Sequence, residues 1–226
     1  MEAVFQDLGL MNYKEAWSYQ EKIFNKIVEN KLNKTSVFTP GHLLFVEHPH
    51  VYTLGKNGKK NNLLINDSFL EKIQASFYEI DRGGDITYHG PGQLVGYPIL
   101  DIELAGLTLK KYIFLVEEAI IQLLAEYGIS AERLNGATGV WLDVINPAKT
   151  RKICAIGVRA SRYVTMHGFA LNVNTDLKYF SYINPCGFID KGITSFEKEL
   201  GKKIDMQEVK QILKQKLADT LLLKFK

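Results

Sequence analysis

Four short stretches of this 226-residue chain hold residue types that do chemistry. The first, Tyr179 to Gly192, carries Cys186 between Pro185 and Gly187. Proline fixes the backbone on one side and glycine frees it on the other, so a sharp turn could hold the sulfur outward. The other of the two cysteines, Cys154, lies in the apolar run "KICAIG", which suits a buried, inert thiol. The second stretch, Arg82 to Gln93, reads "RGGDITYHGPGQ". Its glycines allow positive φ and let backbone N–H groups approach a ligand, while Arg82 and His89 flank them. It fits neither the phosphate-cradling P-loop nor the dinucleotide fingerprint. The third, Arg151 to Arg159, opens an apolar strand with Lys152, which suits either a solvated strand end or a cation held beside a reacting group. The fourth, "MHGFALNVN", sets His167 before Gly168 at the mouth of a strand.

Composition narrows what these stretches can be for. The net charge of +3 is far from that of a dedicated nucleic-acid binder. Two cysteines cannot build a disulfide framework, so a reducing cytoplasm is expected. The start lacks a basic segment followed by an apolar one, so no signal peptide is expected, and no apolar run approaches the roughly 18 residues of a membrane span. Glu47, His48 and His50 are close in sequence, but no third His or Cys lies at ligand spacing, so no metal is expected. A chain of this length buries roughly 70% of its unfolded surface and needs no staple to fold. No linker or repeat divides it, so one domain over residues 1–226 is expected.

The elements that must position these residues follow from periodicity. Ala16, Gln20, Ile23, Ile27 and Val28 recur at helical spacing within 12–32. Residues 108–127 form a second helix, with Tyr112, Val116, Ala119, Ile120, Leu123, Leu124 and Tyr127 on one face and Gly128 as a stop signal. A third runs from Asp205, with Val209, Ile212, Leu213, Leu217 and Leu221 inward and Glu208 at capping-box spacing. Strands are expected at 42–48, 77–84 and 85–90, and in "GQLVGYPILDI", "GVWLDV", "KICAIGVRAS" and "FALNVN". Pro98 suggests that its strand is an edge or carries a bulge. Strands clustered between helical ends, without βαβ alternation, predict an α+β fold with a mixed, largely antiparallel sheet and flanking helices.

Taken in order, "RGGDITYHGPGQLVGYPILD", "KICAIGVR", "HGFALNVNTDL" and "INPCG" resemble the lipoyl(octanoyl) transferases, with weaker echoes at "YKEAW" and "EHPHVYTLG". The resemblance covers roughly residues 10 to 196. It implies the biotin/lipoate protein ligase fold and an acyltransferase without cofactor or ATP. Such an enzyme moves an octanoyl group from octanoyl-acyl carrier protein to a lysine of apo lipoyl domains, including those of 2-oxoacid dehydrogenase complexes and the glycine cleavage H protein. The resemblance maps the family's nucleophile onto Cys186 and its partner lysine onto Lys152. The substrate-lining segments map onto Arg82, Gly83, Gly84, Asp85, Ile86, Thr87, Tyr88 and His89, onto Ala155, Ile156 and Gly157, and onto Gly168, Phe169 and Ala170. No partner nucleic acid or membrane is implied.

The chemistry would suit those types. A free cysteine titrates near about 8.5, and an adjacent ammonium favours its thiolate. Once neutral, Lys152 could take the proton of the incoming lysine; base, electrostatic partner or both remain open for it. Backbone N–H groups near Gly83, Gly84 or Gly157 are candidates for an oxyanion. His89 and His167 suit positioning of substrate or polarisation of its carbonyl about as well as a structural role, so His167 stays outside the catalytic set. Lys56, Lys59, Lys60, Arg151, Arg159 and Arg162 are candidates for docking an acidic carrier. The competing readings are an ATP-dependent ligase, a non-catalytic binding module and, more distantly, a cysteine protease, whose local signatures are missing around Cys186.

Overall fold

The computed structural model describes residues 1–33, 39–184 and 192–226. Helix α1 (Tyr13–Leu32) follows strand β1 (Glu2–Leu10) and buries Ala16, Gln20, Ile23 and Ile27 at the expected spacing. Next come β2 (Gly41–Glu47), β3 (Val51–Leu54), the short helix α2 (Asp67–Lys72), β4 (Ser76–Glu79), β5 (Ile86–His89) and β6 (Gln93–Ile99). Helix α3 (Leu109–Glu126) starts where Thr108 Oγ1 accepts the Lys111 N–H, and ends before Gly128, whose φ of 72° favours glycine. Strands β7 (Glu132–Leu134), β8 (Ala137–Leu142), β9 (Arg151–Ser161), β10 (Val164–Asn172) and β11 (Gly192–Ile193) follow, then α4 (Phe196–Leu200), α5 (Met206–Leu221) and β12 (Lys224–Phe225). Asp205 caps α5 through the Gln207 N–H rather than at Glu208.

The larger sheet runs β12-β1-β2-β6-β10-β9-β8-β7, with β11 also paired to β9. Its centre, β2-β6-β10-β9-β8, is antiparallel throughout, while β12, β1 and β11 pair in parallel. Helices cover both faces. Tyr112, Val116, Ile120 and Leu123 of α3 pack with Val209, Leu213 and Leu217 of α5 on one face, and Ile23, Phe24 and Ile27 of α1 pack on the other. Full burial of each such side chain is worth about 1.5–3 kcal/mol, so this layering dominates the fold's stability. A small sheet, β4-β3-β5, stands beside the large one over its own aromatic cluster of Tyr52, Tyr88 and Tyr179. The expected mixed, largely antiparallel α+β sheet is what forms.

Three details differ from expectation. Of the stretch 77–84 only the part up to Glu79 is strand, and Arg82–Gly84 is a loop. Pro98 does not mark an edge strand, because β6 lies centrally between β2 and β10. The ladder with β10 registers only Gln93 to Gly96, and Pro98 lies beyond it, where Thr165 Oγ1 donates to its carbonyl at 2.8 Å. The missing N–H therefore falls where that ladder has ended. Strand β1 is also present where no strand is expected.

Candidate active site

A cavity of about 410 Å³ opens between the large sheet, β5 and the loop before β5. Its floor is a ribbon of small residues. Gly168 pairs with Gly157 and Ala170 with Ala155 across β10 and β9, and all four line the cavity. Larger residues there would fill the trough. Apolar walls come from Ile156, Phe169, Val95 and Ile113, as a site for an alkyl chain requires.

The Arg82–Gly84 loop is held against β9 by backbone proximity. The Gly83 N–H donates to Val158 O at 2.9 Å. A Cβ on Gly157 would sit 2.8 Å from Gly83 O, and one on Gly55 only 2.4 Å from Gly84 O, so glycine at 55 and 157 lets the loop close down. Arg82 is buried; its Nη2 donates to Thr53 O at 2.7 Å and to Thr53 Oγ1 at 2.9 Å. Asp85 accepts from Asn62 Nδ2 at 2.6 Å and from the Ile86 N–H at 2.6 Å. The N–H of Gly83 is thus spent on β9, and that of Gly84 reaches Asn57 Oδ1 at 3.4 Å. Of the oxyanion donors suggested by sequence, these two serve the loop itself.

A buried polar chain continues from Thr53. Its Oγ1 lies 3.5 Å from His89 Nε2, and His89 Nδ1 lies 2.8 Å from Gln93 Oε1. Gln93 Nε2 donates to Tyr88 O at 3.1 Å and to Asn172 Oδ1 at 2.8 Å, and Asn172 Nδ2 to Thr194 O at 3.0 Å. Since Gln93 Oε1 can only accept, His89 carries its proton on Nδ1 and accepts at Nε2. Burial, with His48 close by, lowers its pKa to about 3. His89 is therefore neutral with both ring nitrogens occupied, which leaves it no donor for a substrate carbonyl.

Lys152 lies on β9 opposite Trp141, with Nζ 4.5 Å from the centre of the indole ring, and it lines the cavity. Ile193 pairs with Lys152 and lines the same cavity, and the Thr194 N–H donates to Lys152 O at 2.9 Å. Cys186 lies outside the described residues. In sequence it falls between Asn184, whose N–H donates to Asn62 O at 2.8 Å, and Gly192, whose N–H donates to Thr150 O at 3.0 Å. Cys154 is fully buried in the main core, and burial pushes its thiol well above the ordinary range.

Of the fourteen residues mapped to the substrate site, Arg82, Gly83, Gly84, Asp85, Ile86, Thr87 and His89 line the cavity, as do Ala155, Ile156, Gly157, Gly168, Phe169 and Ala170. Tyr88 does not. Strand alternation turns it into the small sheet's aromatic cluster, stacked on Tyr179 at 5.0 Å with its hydroxyl 2.7 Å from His50 Nδ1. Tyr13, Gln93, Tyr97, Asn172 and Phe180 also line the cavity, beyond the residues that the resemblance maps there. The signal available for Gln93 and Asn172 is polarity inside apolar strands. The docking candidates divide: Arg151 bridges Glu199 and Asp143, Arg159 pairs with Asp81 and Lys60 with Glu79, whereas Lys56, Lys59 and Arg162 are exposed. His48 is held by Met11 O at 2.7 Å and Tyr97 OH at 2.8 Å, and no cluster of metal-ligating side chains occurs among the described residues.

Residues 12–218 match the family model of the lipoyl protein ligase A/B catalytic domain. An octanoyltransferase from Bacteroides fragilis (strain YCH46) is 58% identical over 224 residues, covering 99% of this chain and 100% of that protein. The chain belongs to the octanoyltransferase family. It is accordingly an acyltransferase. A second such octanoyltransferase, from Bacteroides thetaiotaomicron, is 57% identical and covers 98% of this chain and 96% of its own length. A lipoate-protein ligase A bound with ATP shares the fold at a TM-score of 0.75 and 16% identity, over 100% of this octanoyltransferase-family chain and 88% of the ligase. No helix among the described residues is long and apolar enough to cross a membrane.

Proposed function

We propose that this chain carries an octanoyl group from octanoyl-acyl carrier protein to a lysine of apo lipoyl domains through a thioester on Cys186, in the cytoplasm and without ATP. The thiolate of Cys186 attacks the donor carbonyl, the donor's C–S bond breaks, and the departing thiolate takes up a proton from the Lys152 ammonium, leaving Lys152 neutral, or from water. The acceptor's neutral amine then attacks the enzyme thioester. The second C–S bond breaks, an amide forms, and the amine's proton leaves to Lys152 or to water. The first exchange trades one thioester for another and the second makes a more stable amide, so no nucleotide is needed.

The observation that carries this reading is Lys152 at the wall of an apolar cavity, paired with Ile193, which follows the Cys186 segment in sequence. The Lys152 Nζ lies over the Trp141 ring, and an ammonium placed there would favour a nearby thiolate. The small-residue trough over Ala155, Gly157, Gly168 and Ala170 suits an extended alkyl chain, whose burial is worth about 0.8 kcal/mol per methylene. Arg82 to His89, without Tyr88, would form the remaining wall. The acceptors would be the lipoyl domains of 2-oxoacid dehydrogenase complexes and the glycine cleavage H protein, served by residues 1–226 acting as one catalytic domain.

The shared fold with an ATP-bound ligase favours one other reading, adenylation of free octanoate. One experiment separates them. Incubation with octanoyl-acyl carrier protein and no ATP should add one octanoyl mass to Cys186, lost on addition of apo lipoyl domain and absent in Cys186→Ala. Modification of the lipoyl domain only with ATP and free octanoate would establish the ligase instead.

A further inference from the structure

His167 is held in an uncommon conformation by two hydrogen bonds. Its φ of 61° puts a non-glycine residue in the left-handed region within β10. Its backbone N–H donates to Gln20 Oε1 of α1 at 3.1 Å, and its Nε2 lies 2.9 Å from Asp81 Oδ1. The other Asp81 oxygen takes the Arg159 guanidinium, which also lies over the Phe24 ring. His167 is 1% exposed and lines the cavity, yet its Nδ1 has no hydrogen-bond partner among the described residues.

The hydrogen-bond pattern assigns the proton. Burial lowers the His167 pKa, and the hydrogen bond from His167 holds Asp81 below the usual carboxylate range. The ring is neutral beside an ionised carboxylate, so Nε2 bears the hydrogen and donates to Asp81. Nδ1 is then a bare lone pair that can only accept. It cannot polarise a substrate carbonyl, which also requires a donor. A backbone outlier together with an unpaired buried acceptor is the kind of cost retained where a ligand uses it.

We infer that His167 Nδ1 forms a subsite that accepts a hydrogen bond from an N–H group of a substrate, rather than from the acyl chain. An octanoyl chain has no donor to offer. Two N–H sources exist in the proposed reaction: an amide of the donor's pantetheine arm, and the amine of the acceptor lysine. The inference rests on the acyl-transfer reading of the cavity. Asp81, with Arg159 behind it, is the positioning group that fixes the tautomer.

The test uses His167→Gly, because glycine tolerates positive φ and removes the acceptor, with two donors that both carry octanoate as a thioester. One is octanoyl-pantetheine and the other octanoyl-ethanethiol, which has no amide. Loss of one hydrogen bond corresponds to roughly a 2- to 13-fold change. If the arm's amide is the ligand, His167→Gly raises KM for octanoyl-pantetheine by that factor and leaves octanoyl-ethanethiol unchanged. If the acceptor amine is the ligand, transfer to apo lipoyl domain falls equally with both donors. A folded His167→Gly with unaltered kinetics for both donors and the acceptor overturns the subsite. Imidazole ¹⁵N NMR of Cys186→Ala provides a readout that needs no substitution at His167. Nδ1 should appear unprotonated and move when octanoyl-pantetheine or the lipoyl domain is added, and an unmoved resonance with both overturns the inference. Failure of the wild-type chain to transfer from either thioester would instead bring down the acyl-transfer reading, and the inference with it.

Discussion

Gly157→Ala tests whether backbone proximity sets the position of the glycine-rich loop. The new Cβ would lie 2.8 Å from Gly83 O, 3.2 Å from Arg82 Cδ and 3.5 Å from Arg82 Nη1. Ordinary contact begins near 3.4 Å, so the loop must retreat from β9 by roughly 0.6 Å. The Gly83 N–H to Val158 O bond, now 2.9 Å, would then stretch to the edge of hydrogen-bond geometry. Overpacking of this kind costs about 1–3 kcal/mol, and a weakened hydrogen bond about 1 kcal/mol more. Alanine's smaller unfolded-state entropy offsets roughly 0.4–1 kcal/mol of this. The net expectation is a loss of about 1–3 kcal/mol, or a fall in Tm of about 2–12 °C for a chain of this size. Thermal unfolding by circular dichroism measures it, and octanoyl transfer should weaken in parallel because the cavity wall has moved. A Gly157→Ala protein with unchanged Tm and unchanged transfer would refute the claim that this contact places the loop.

Three further outcomes are expected. His48 and His89 are buried and neutral, with pKa values lowered by burial to about 4 and about 3 from 6.5. The unfolded chain takes up their protons first, so stability is full above pH 6.5 and falls as pH drops toward the folded values. The pair should cost about 4 kcal/mol by pH 5, at roughly 1.4 kcal/mol per unit each, and urea titrations at pH 7 and pH 5 that superimpose would contradict this. Replacing Asn172 with leucine takes one of two acceptors from Gln93 Nε2, which keeps Tyr88 O, and removes the side-chain donor to Thr194 O, so chemical denaturation should reveal a loss of about 2–4 kcal/mol. Lys152→Met should retain the fold and lower single-turnover transfer to the acceptor by roughly 10²-fold or more, and near-normal turnover would remove Lys152 from the proposed chemistry.

Local patterns sufficed for the helices. The spacing of Ala16, Ile23 and Ile27, that of Tyr112, Val116, Ile120 and Leu123, and the Gly128 stop act within one or two turns, so α1 and α3 are legible from the chain alone. The quoted glycine-rich and small-residue stretches likewise carried the family resemblance, because close backbone approach demands those residue types wherever they fold. The rest depended on partners distant in sequence. Strand β1 has little alternation of its own and exists by pairing with β2 and with β12, more than 200 residues away. Pro98 reads as a sign of an edge or a bulge until the registered pairing of β6 with β10 is seen to stop before it. Tyr88 shares a stretch with its cavity-lining neighbours, but the pleat turns it toward Tyr179. His167 is the clearest case. Sequence supplies an imidazole before a glycine. Only the packing of α1, Asp81 and Arg159 around it decides which nitrogen is protonated and which one faces the cavity, because hydrogen-bond partners are assigned by three-dimensional contact.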